Sequence, residues 1–247
     1  MKEYSTRSLA IALAILAAGV LLVMFLTGPI EQTQNYHNFS DRRGLGGIPN
    51  AWNVLSNLAY LFVGFLGFVM CLGRRPPGAR RAWITFFAAV MFVAAGSSFY
   101  HWNPNDASLA WDRLPMAISF MALLVAVAAE DLRLSLERML IPLVIAGAAS
   151  IFFWRLTGDL RPYVVVQFFP LLAVLLCLLM RRGTFNHREH LPIALGFYTL
   201  AKWAELGDLV IFDLTGGQVG GHSVKHLLSA AGVLFIVRML ARRGPVT

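Results

Sequence analysis

Long apolar runs alternate with short polar segments along the whole chain. Eight of these runs approach or exceed the length of about 20 residues that an apolar helix needs to cross a bilayer. They cover residues 8–28, 53–73, 82–101, 113–129, 139–157, 162–180, 191–213 and 223–241. Proline and glycine mark several of the boundaries, as at Gly158 and Pro162. The pattern predicts an all-α, polytopic membrane protein with eight transmembrane helices.

The composition agrees with a membrane location. Of the 247 residues, 57% are hydrophobic and 14% are charged, whereas a soluble domain is about half apolar and about a quarter charged. The net charge of +8 does not indicate nucleic-acid binding, because the basic residues lie in short loops rather than on one basic face. Cys71 and Cys177 fall inside apolar runs, which favours packing residues over a disulfide or metal pair.

The basic residues predict the orientation of the helices. If the N-terminus is cytoplasmic, the cytoplasmic segments hold fourteen of the 21 Lys and Arg residues. These are Lys2, Arg7, Arg74, Arg75, Arg80, Arg81, Arg133, Arg138, Arg181, Arg182, Arg188, Arg238, Arg242 and Arg243. The positive-inside rule therefore predicts a protein of the cytoplasmic membrane with both termini inside. The first run could also be a signal peptide, but its length and the lack of a small-residue cleavage pattern favour a retained anchor.

Histidines at two helix ends are the first candidates for chemistry. His101 ends the third predicted helix, and His222 and His226 begin the eighth, so the topology places all three at the outer face. The i, i+4 spacing of His222 and His226 puts both on one side of a helix. Three protein ligands and a water are typical of catalytic zinc. The alternative is that these histidines only cap helix ends at the membrane interface.

Two oxygen-bearing side chains lie near the same predicted depth. Ser97 precedes His101 by four residues and shares its helix face, while Asp112 opens the fourth helix at the outer boundary. A carboxylate there can accept a proton from water, and a hydroxyl can orient that water. Taken singly, Ser97 is more typical of a packing residue and Asp112 of a charge that favours a helix N-terminus. In combination with the histidines they indicate a hydrolytic site.

Four short segments resemble motifs of one family. Residues 96–101 (GSSFYH) and 112–116 (DRLPM) resemble the Gly-Ser-x-x-x-His and Asp-Glu-Leu-Pro-Met motifs of alkaline ceramidases. Residues 222–226 (HSVKH) resemble their C-terminal His-x-x-x-His, and residues 52–57 (WNVLSN) resemble their Trp-Asn-x-x-Ser-Asn stretch. That family belongs to a superfamily of seven-helix membrane hydrolases, which includes the adiponectin-receptor-like proteins. The resemblance implies an N-terminal transmembrane anchor over residues 1–30 and a seven-helix ceramidase-like domain over residues 31–247.

The resemblance also implies an activity and the residues that perform it. His101, His222 and His226 would bind zinc, and Ser97 and Asp112 would hold the catalytic water. That water would attack the amide carbonyl of an N-acyl sphingoid base taken from the bilayer and release a fatty acid and a free amine. The oligomeric state does not follow from the resemblance.

The chain departs from the family pattern at two places. The family carries an acidic calcium-binding segment before its first core helix, with a glutamate just ahead of the Trp-Asn pair. Here Asn50 stands at that position, and Asp41 of the preceding loop has Arg42 and Arg43 beside it, which argues against a calcium site at Asp41 and Asn50. In addition, Arg113 replaces the glutamate that follows the catalytic aspartate. These departures leave the identity of the lipid open.

The seventh predicted helix carries Lys202, Glu205 and Asp208 on roughly one face. Ionisable groups inside a membrane should face the bundle and pair, so a Lys202–Glu205 ion pair is expected. A role in orienting a zinc histidine is the other possibility for Glu205 and Asp208. The stripe also permits a different class of function, a transporter or proton pathway. Two further alternatives are a receptor with structural zinc and a hydrolase of another lipid ester or amide.

Overall fold

The computed structural model describes residues 4–74, 76–180 and 184–245, and within these ranges the chain forms ten α-helices and no named strand. The helices are α1 (Thr6–Leu26), α2 (Ala51–Leu55), α3 (Leu58–Gly73), α4 (Arg80–Trp102), α5 (Asp106–Asp131), α6 (Leu140–Thr157), α7 (Arg161–Met180), α8 (His190–Leu206), α9 (Asp208–Leu214) and α10 (Gly221–Arg242). The predicted all-α fold is confirmed. Four basic residues used above to predict orientation, Lys2, Arg75, Arg181 and Arg182, lie outside the described residues.

Seven helical stretches of the described chain are long and apolar enough to span a membrane. They are α1, α2 with α3, α4, α5, α6 with the 3-10 turn before it, α7 and α10. The seventh predicted run, residues 191–213, is not one helix, because α8 ends at Leu206 and α9 begins at Asp208. The Asp208 carboxylate accepts the backbone N–H groups of Ser40 and His222 at 2.8 Å each, and this fixes the chain at the break.

The helices differ strongly in how deeply they are buried. Within their most apolar windows, 6% of α1 and 67% of α5 are buried. Helix α5 therefore runs through the centre of the bundle, and α1 lies at its edge. The Arg161 side chain holds one end of α1 there by donating to the backbone carbonyls of Met24 and Thr27.

One end of the bundle, which we call the histidine end, contains the last turn of α4 and the first turns of α5 and α10. The segment 27–50 folds over this end, where the Ile30 amide donates to the Asp159 carboxylate at 3.2 Å. At the opposite end, Glu130 accepts from the Arg243 guanidinium and from the Trp83 indole, both at 2.7 Å. These contacts tie α4, α5 and α10 together away from the histidines.

Backbone approaches backbone at two glycines of the histidine end. A Cβ atom added at Gly96 would lie 2.2 Å from the Trp111 carbonyl oxygen, and one added at Gly221 would lie 2.2 Å from the Ala204 carbonyl oxygen. Small residues let membrane helices pack this closely. The two glycines therefore set the distance of α4 from α5 and of α10 from α8.

We expect Gly96→Ala to lower the free energy of unfolding by about 1–3 kcal/mol, the usual cost of overpacking a tight contact. The added methyl would meet backbone, which cannot rotate away, so α4 must shift relative to α5. Thermal unfolding of the purified protein in detergent measures the change. The control is Gly196→Ala on α8, where an added Cβ meets nothing within 4 Å. Equal stability of the two variants would contradict the role of Gly96.

Candidate metal centre

Three histidines converge at the histidine end. His101 comes from the last turn of α4, and His222 and His226 come from the first turns of α10. One ring nitrogen from each of them lies within 4.8 Å of the others, and all three side chains are buried. The convergence predicted from topology and i, i+4 spacing is therefore present in the fold. Such a group is able to hold a metal ion.

The surroundings of His101 test whether a metal fits. Both of its ring nitrogens are buried, and neither has a hydrogen-bond partner among the described residues. A neutral imidazole carries one N–H donor and one acceptor, and a buried polar atom without a partner costs about 1–3 kcal/mol. A cation bound by His101, His222 and His226 would satisfy one of these nitrogens. Three imidazoles are also a ligand set that zinc favours, so zinc fits the residues present.

The other two histidines are oriented by neighbouring groups. The Ser56 hydroxyl lies 2.8 Å from Nδ1 of His226, which leaves Nε2 of that ring for the cluster. The backbone N–H of His222 donates to Asp208, which fixes the start of α10. Nε2 of His222 lies 3.0 Å from the Lys225 ammonium. A partner on the second ring nitrogen, as Ser56 is for His226, fixes the orientation of a ligand histidine and raises its affinity for metal.

An aromatic side chain from residues 27–50, which we call the covering segment, packs against the histidine cluster. Phe39 is only 4% exposed, and its ring centroid lies 4.6 Å from that of His101 and 4.7 Å from that of His222. The Tyr60 ring lies 5.9 Å from His226 on the other side. The imidazoles are thus surrounded largely by apolar surface, where electrostatic interactions are stronger than in water.

Ser97 and Asp112 lie together beside this cluster. Both side chains line the same cavity as His226. Ser97 is 2% exposed and Asp112 is 6% exposed. The structure therefore brings together all five residues that the sequence motifs singled out as zinc ligands or as water-holding groups.

The cavity runs from these polar groups into the apolar interior of the bundle, with a volume of about 270 Å³. It is lined from Phe86 to Ser97 on α4, from Asp112 to Leu123 on α5 and from Lys225 to Ile236 on α10. Each of these stretches rises by about 16 Å along its helix. Because the walls beyond the polar end are mainly aliphatic and aromatic, the cavity suits a lipid chain.

The charged stripe of α8 forms a paired network. Glu205 accepts from Lys202, from Lys225 at 2.8 Å and from the Tyr36 hydroxyl at 2.9 Å. The predicted Lys202–Glu205 ion pair is present. Neither Glu205 nor Asp208 accepts directly from a histidine ring. Asp208 accepts from the backbone N–H groups of Ser40 and His222, and Glu205 is connected to the His222 ring only through Lys225.

Sequence reasoning did not assign two residues to the site. Lys225 lies between two histidines in the motif at residues 222–226, and its helical spacing of three from His222 was the available signal. Ser56 lies in the segment WNVLSN, where a polar side chain is typical of a residue that holds membrane helices together. Its contact with His226 joins positions that are 170 residues apart, and no local pattern indicates that contact.

The residues at the expected calcium position do not fit a calcium ion. The Asp41 carboxylate is engaged on both oxygens by the Arg43 guanidinium, at 2.9 and 2.7 Å. Burial alone would raise the pKa of Asp41, but the hydrogen bonds and charge of Arg43 outweigh it and hold that pKa below its usual value. Asn50 has a left-handed backbone and donates its side-chain N–H to the His101 carbonyl at 2.8 Å. Both side chains are thus committed to contacts within the protein.

Comparison with known proteins identifies one match. A family model described as Ceramidase matches residues 47–208, which is 162 of the 247 residues. The matched part contains Ser97, His101 and Asp112 and ends before His222 and His226. No curated protein matches the chain.

We expect Ser56→Ala to weaken zinc binding by about 10- to 100-fold, because the His226 ring loses the group that fixes its orientation. Zinc retained against a series of chelator concentrations, measured by mass spectrometry of the metal, gives the affinity. Ser98→Ala is the matched control, since the Ser98 hydroxyl donates to the Val54 carbonyl. If both variants retain zinc like the wild type, Ser56 does not position His226.

Arg43→Gln tests the internal ion pair at the expected calcium position. We expect it to lower the free energy of unfolding, because it leaves the buried Asp41 carboxylate without its charged donor. A calcium chelator should leave the thermal unfolding of the wild type unchanged. The control, Arg155→Gln, removes an exposed charge on α6. An increase in the wild-type unfolding temperature on adding calcium would contradict the assignment.

Proposed function

The chain belongs to the ceramidase family, and on that premise we propose that it is a zinc-dependent lipid amidase. It would hydrolyse the amide bond of a ceramide-like N-acyl lipid and release a fatty acid and an amine. One observation carries the proposal. Three buried histidines, a serine and an aspartate meet at the polar end of an apolar cavity within a bundle of membrane-spanning helices.

His101, His222 and His226 would hold the zinc ion. The ion supplies an activated water at neutral pH and polarises the amide carbonyl. Ser56 keeps the His226 ring in place, and Phe39 keeps bulk water away from His101 and His222. Exclusion of water strengthens every electrostatic interaction with the reacting groups.

Asp112 and Ser97 would manage the proton. The Asp112 carboxylate accepts a proton from the attacking water and delivers it to the departing nitrogen, as a general base and then a general acid. Ser97, which lines the same cavity, would orient the water with its hydroxyl. One carbon–oxygen bond forms and one carbon–nitrogen bond breaks, so the products are a carboxylic acid and a free amine.

The cavity would align the lipid for this reaction. Its apolar walls between α4, α5 and α10 can take an acyl chain, so the amide bond comes to rest where the lining becomes polar. Binding energy from the chain then fixes the position of the bond that reacts. The distribution of basic residues supports an orientation in which both termini would lie in the cytoplasm and the histidine end would face outward.

The alternatives are less well supported by the site. Hydrolysis of another lipid ester or amide would use the same groups, and only substrate comparison separates these reactions. A transporter or proton pathway through α8 leaves the histidine cluster without a role. It would also have to work through Glu205, which already accepts from three donors.

We expect His101→Ala, His222→Ala and His226→Ala each to lose both zinc and activity. Asp112→Asn should keep zinc and lower turnover by about 100- to 10,000-fold, the usual contribution of a general base. Metal per chain is measured by mass spectrometry, and turnover is measured as fatty acid released from an N-acyl sphingoid base in detergent micelles.

The control for the histidine variants is His187→Asn, at a partly exposed position far along the chain from the cluster, where asparagine tolerates the left-handed backbone. It should keep both zinc and activity. Full turnover by any of the three site variants would rule out the zinc mechanism. A wild-type protein that carries one zinc per chain but releases no fatty acid would instead favour a structural role for the metal.

A further inference from the structure

One buried cation of the cavity wall has no acidic partner. Arg113 follows Asp112 on α5, is 8% exposed and lines the cavity at its polar end. One terminal nitrogen donates to the Gln32 side-chain oxygen at 2.6 Å. The other, Nη1, is buried and has no hydrogen-bond partner among the described residues. No carboxylate of the described chain lies within 4 Å of this guanidinium.

Aromatic rings take the place of a counter-ion around Arg113. Its guanidinium carbon lies 4.6 Å from the ring centroid of Trp154, 5.0 Å from that of Tyr163 and 5.5 Å from that of Tyr36. Such rings hold a guanidinium in a fixed orientation by cation–π attraction. The face of an aromatic ring offers no acceptor oxygen. The N–H groups of Nη1 therefore remain free to donate to a ligand. Tyr36 and Tyr163 line the same cavity.

The other cations of the cavity are paired, which singles out Arg113. Lys202 and Lys225 both donate to Glu205, and Lys225 also contacts His222. With Arg113 and Asp112 added, the polar end holds three basic and two acidic side chains. The polar end thus carries one more basic than acidic side chain, and among its described cations Arg113 is the one with a buried nitrogen that lacks a hydrogen-bond partner. Buried ionisable groups inside a membrane protein are costly and mark functional sites.

We infer that the amine part of the lipid substrate carries an anionic oxygen group, a phosphate or a sulfonate, and that Arg113 binds it. This inference rests on the proposed amidase function. A planar guanidinium presents two parallel N–H donors to an oxyanion, and the charge-assisted bonds that result are strong and directional. Because Arg113 and Asp112 both line the polar end of the cavity, a lipid whose amide lies at Asp112 can place an anionic head group within reach of Arg113. Arg113 thereby determines specificity for the head group.

Three lipids with the same acyl chain test this assignment with the zinc-loaded, full-length protein. They are an N-acyl sphingoid base, its 1-phosphate and an N-acyl aminoalkanesulfonate, all presented in neutral detergent micelles. We expect kcat/KM to be at least 10-fold higher for one of the anionic lipids than for the neutral one. Arg113→Gln should reduce this ratio to about one, mainly through KM, and Arg113→Lys should keep part of it.

Thermal unfolding with each lipid measures binding without turnover. The preferred anionic lipid should stabilise the wild type more than the neutral lipid does, and Arg113→Gln should abolish the difference. Arg155→Gln is the control, because Arg155 also lies over the Trp154 ring but is exposed and outside the cavity. It should keep the wild-type ratio of kcat/KM and the wild-type stabilisation.

Failure of this inference is distinguishable from failure of the amidase proposal. If the wild type hydrolyses and binds the neutral lipid with the same kcat/KM and the same stabilisation as both anionic lipids, Arg113 does not select an anion. The same conclusion follows if Arg113→Gln weakens all three lipids equally, which would indicate only loss of the contact with Gln32. If an anionic lipid binds through Arg113 but no lipid is cleaved, head-group recognition stands and the amidase proposal fails.

Discussion

The close approach of helix backbones at Gly96 and Gly221 is the constraint on which the site depends. Each glycine directly precedes a site residue, Ser97 in one case and His222 in the other. At the first contact α4 meets α5 just before Asp112, and at the second α10 meets the end of α8. Because membrane helices gain little from hydrophobic burial against each other, small residues at such contacts set their spacing. The histidine cluster and the Ser97–Asp112 pair follow from two backbone contacts.

Much of the fold and site could be predicted from the sequence, because both rest on regular patterns. Apolar runs located the helices, and their alternating direction brought His101 to the same end as His222. The break at Gly207 was missed, since it depends on Asp208 binding backbone N–H groups from distant segments. The position of Phe39 could not be predicted either, because it lies in an irregular segment without hydrophobic periodicity, which places it against the histidines.

The polar groups of the site differ in how many of their hydrogen-bonding atoms have partners, and these differences bear on its chemistry. Glu205 is fully engaged by three donors, so its charge is compensated within the protein. The ring nitrogens of His101 and one nitrogen of Arg113 are buried and have no hydrogen-bond partner in the part of the chain that the structure describes. A folded protein rarely keeps such atoms unless something else binds them. A neutral imidazole nitrogen can bind a cation, whereas a guanidinium N–H group can bind an anion. The unpaired nitrogens of His101 and Arg113 therefore indicate two different ligands at the same site.

The covering segment links this chemistry to the departure from the family pattern near Asp41. Gln32, Tyr36 and Phe39 all belong to that segment and contact Arg113, Glu205 and the histidines respectively. The segment must therefore be anchored for the site to be closed. Arg43 provides an anchor, since it holds Asp41 and also donates to the backbone of the α9–α10 connection at Gln218. A side chain of the protein itself therefore ties the segment to the α9–α10 connection beside the histidines.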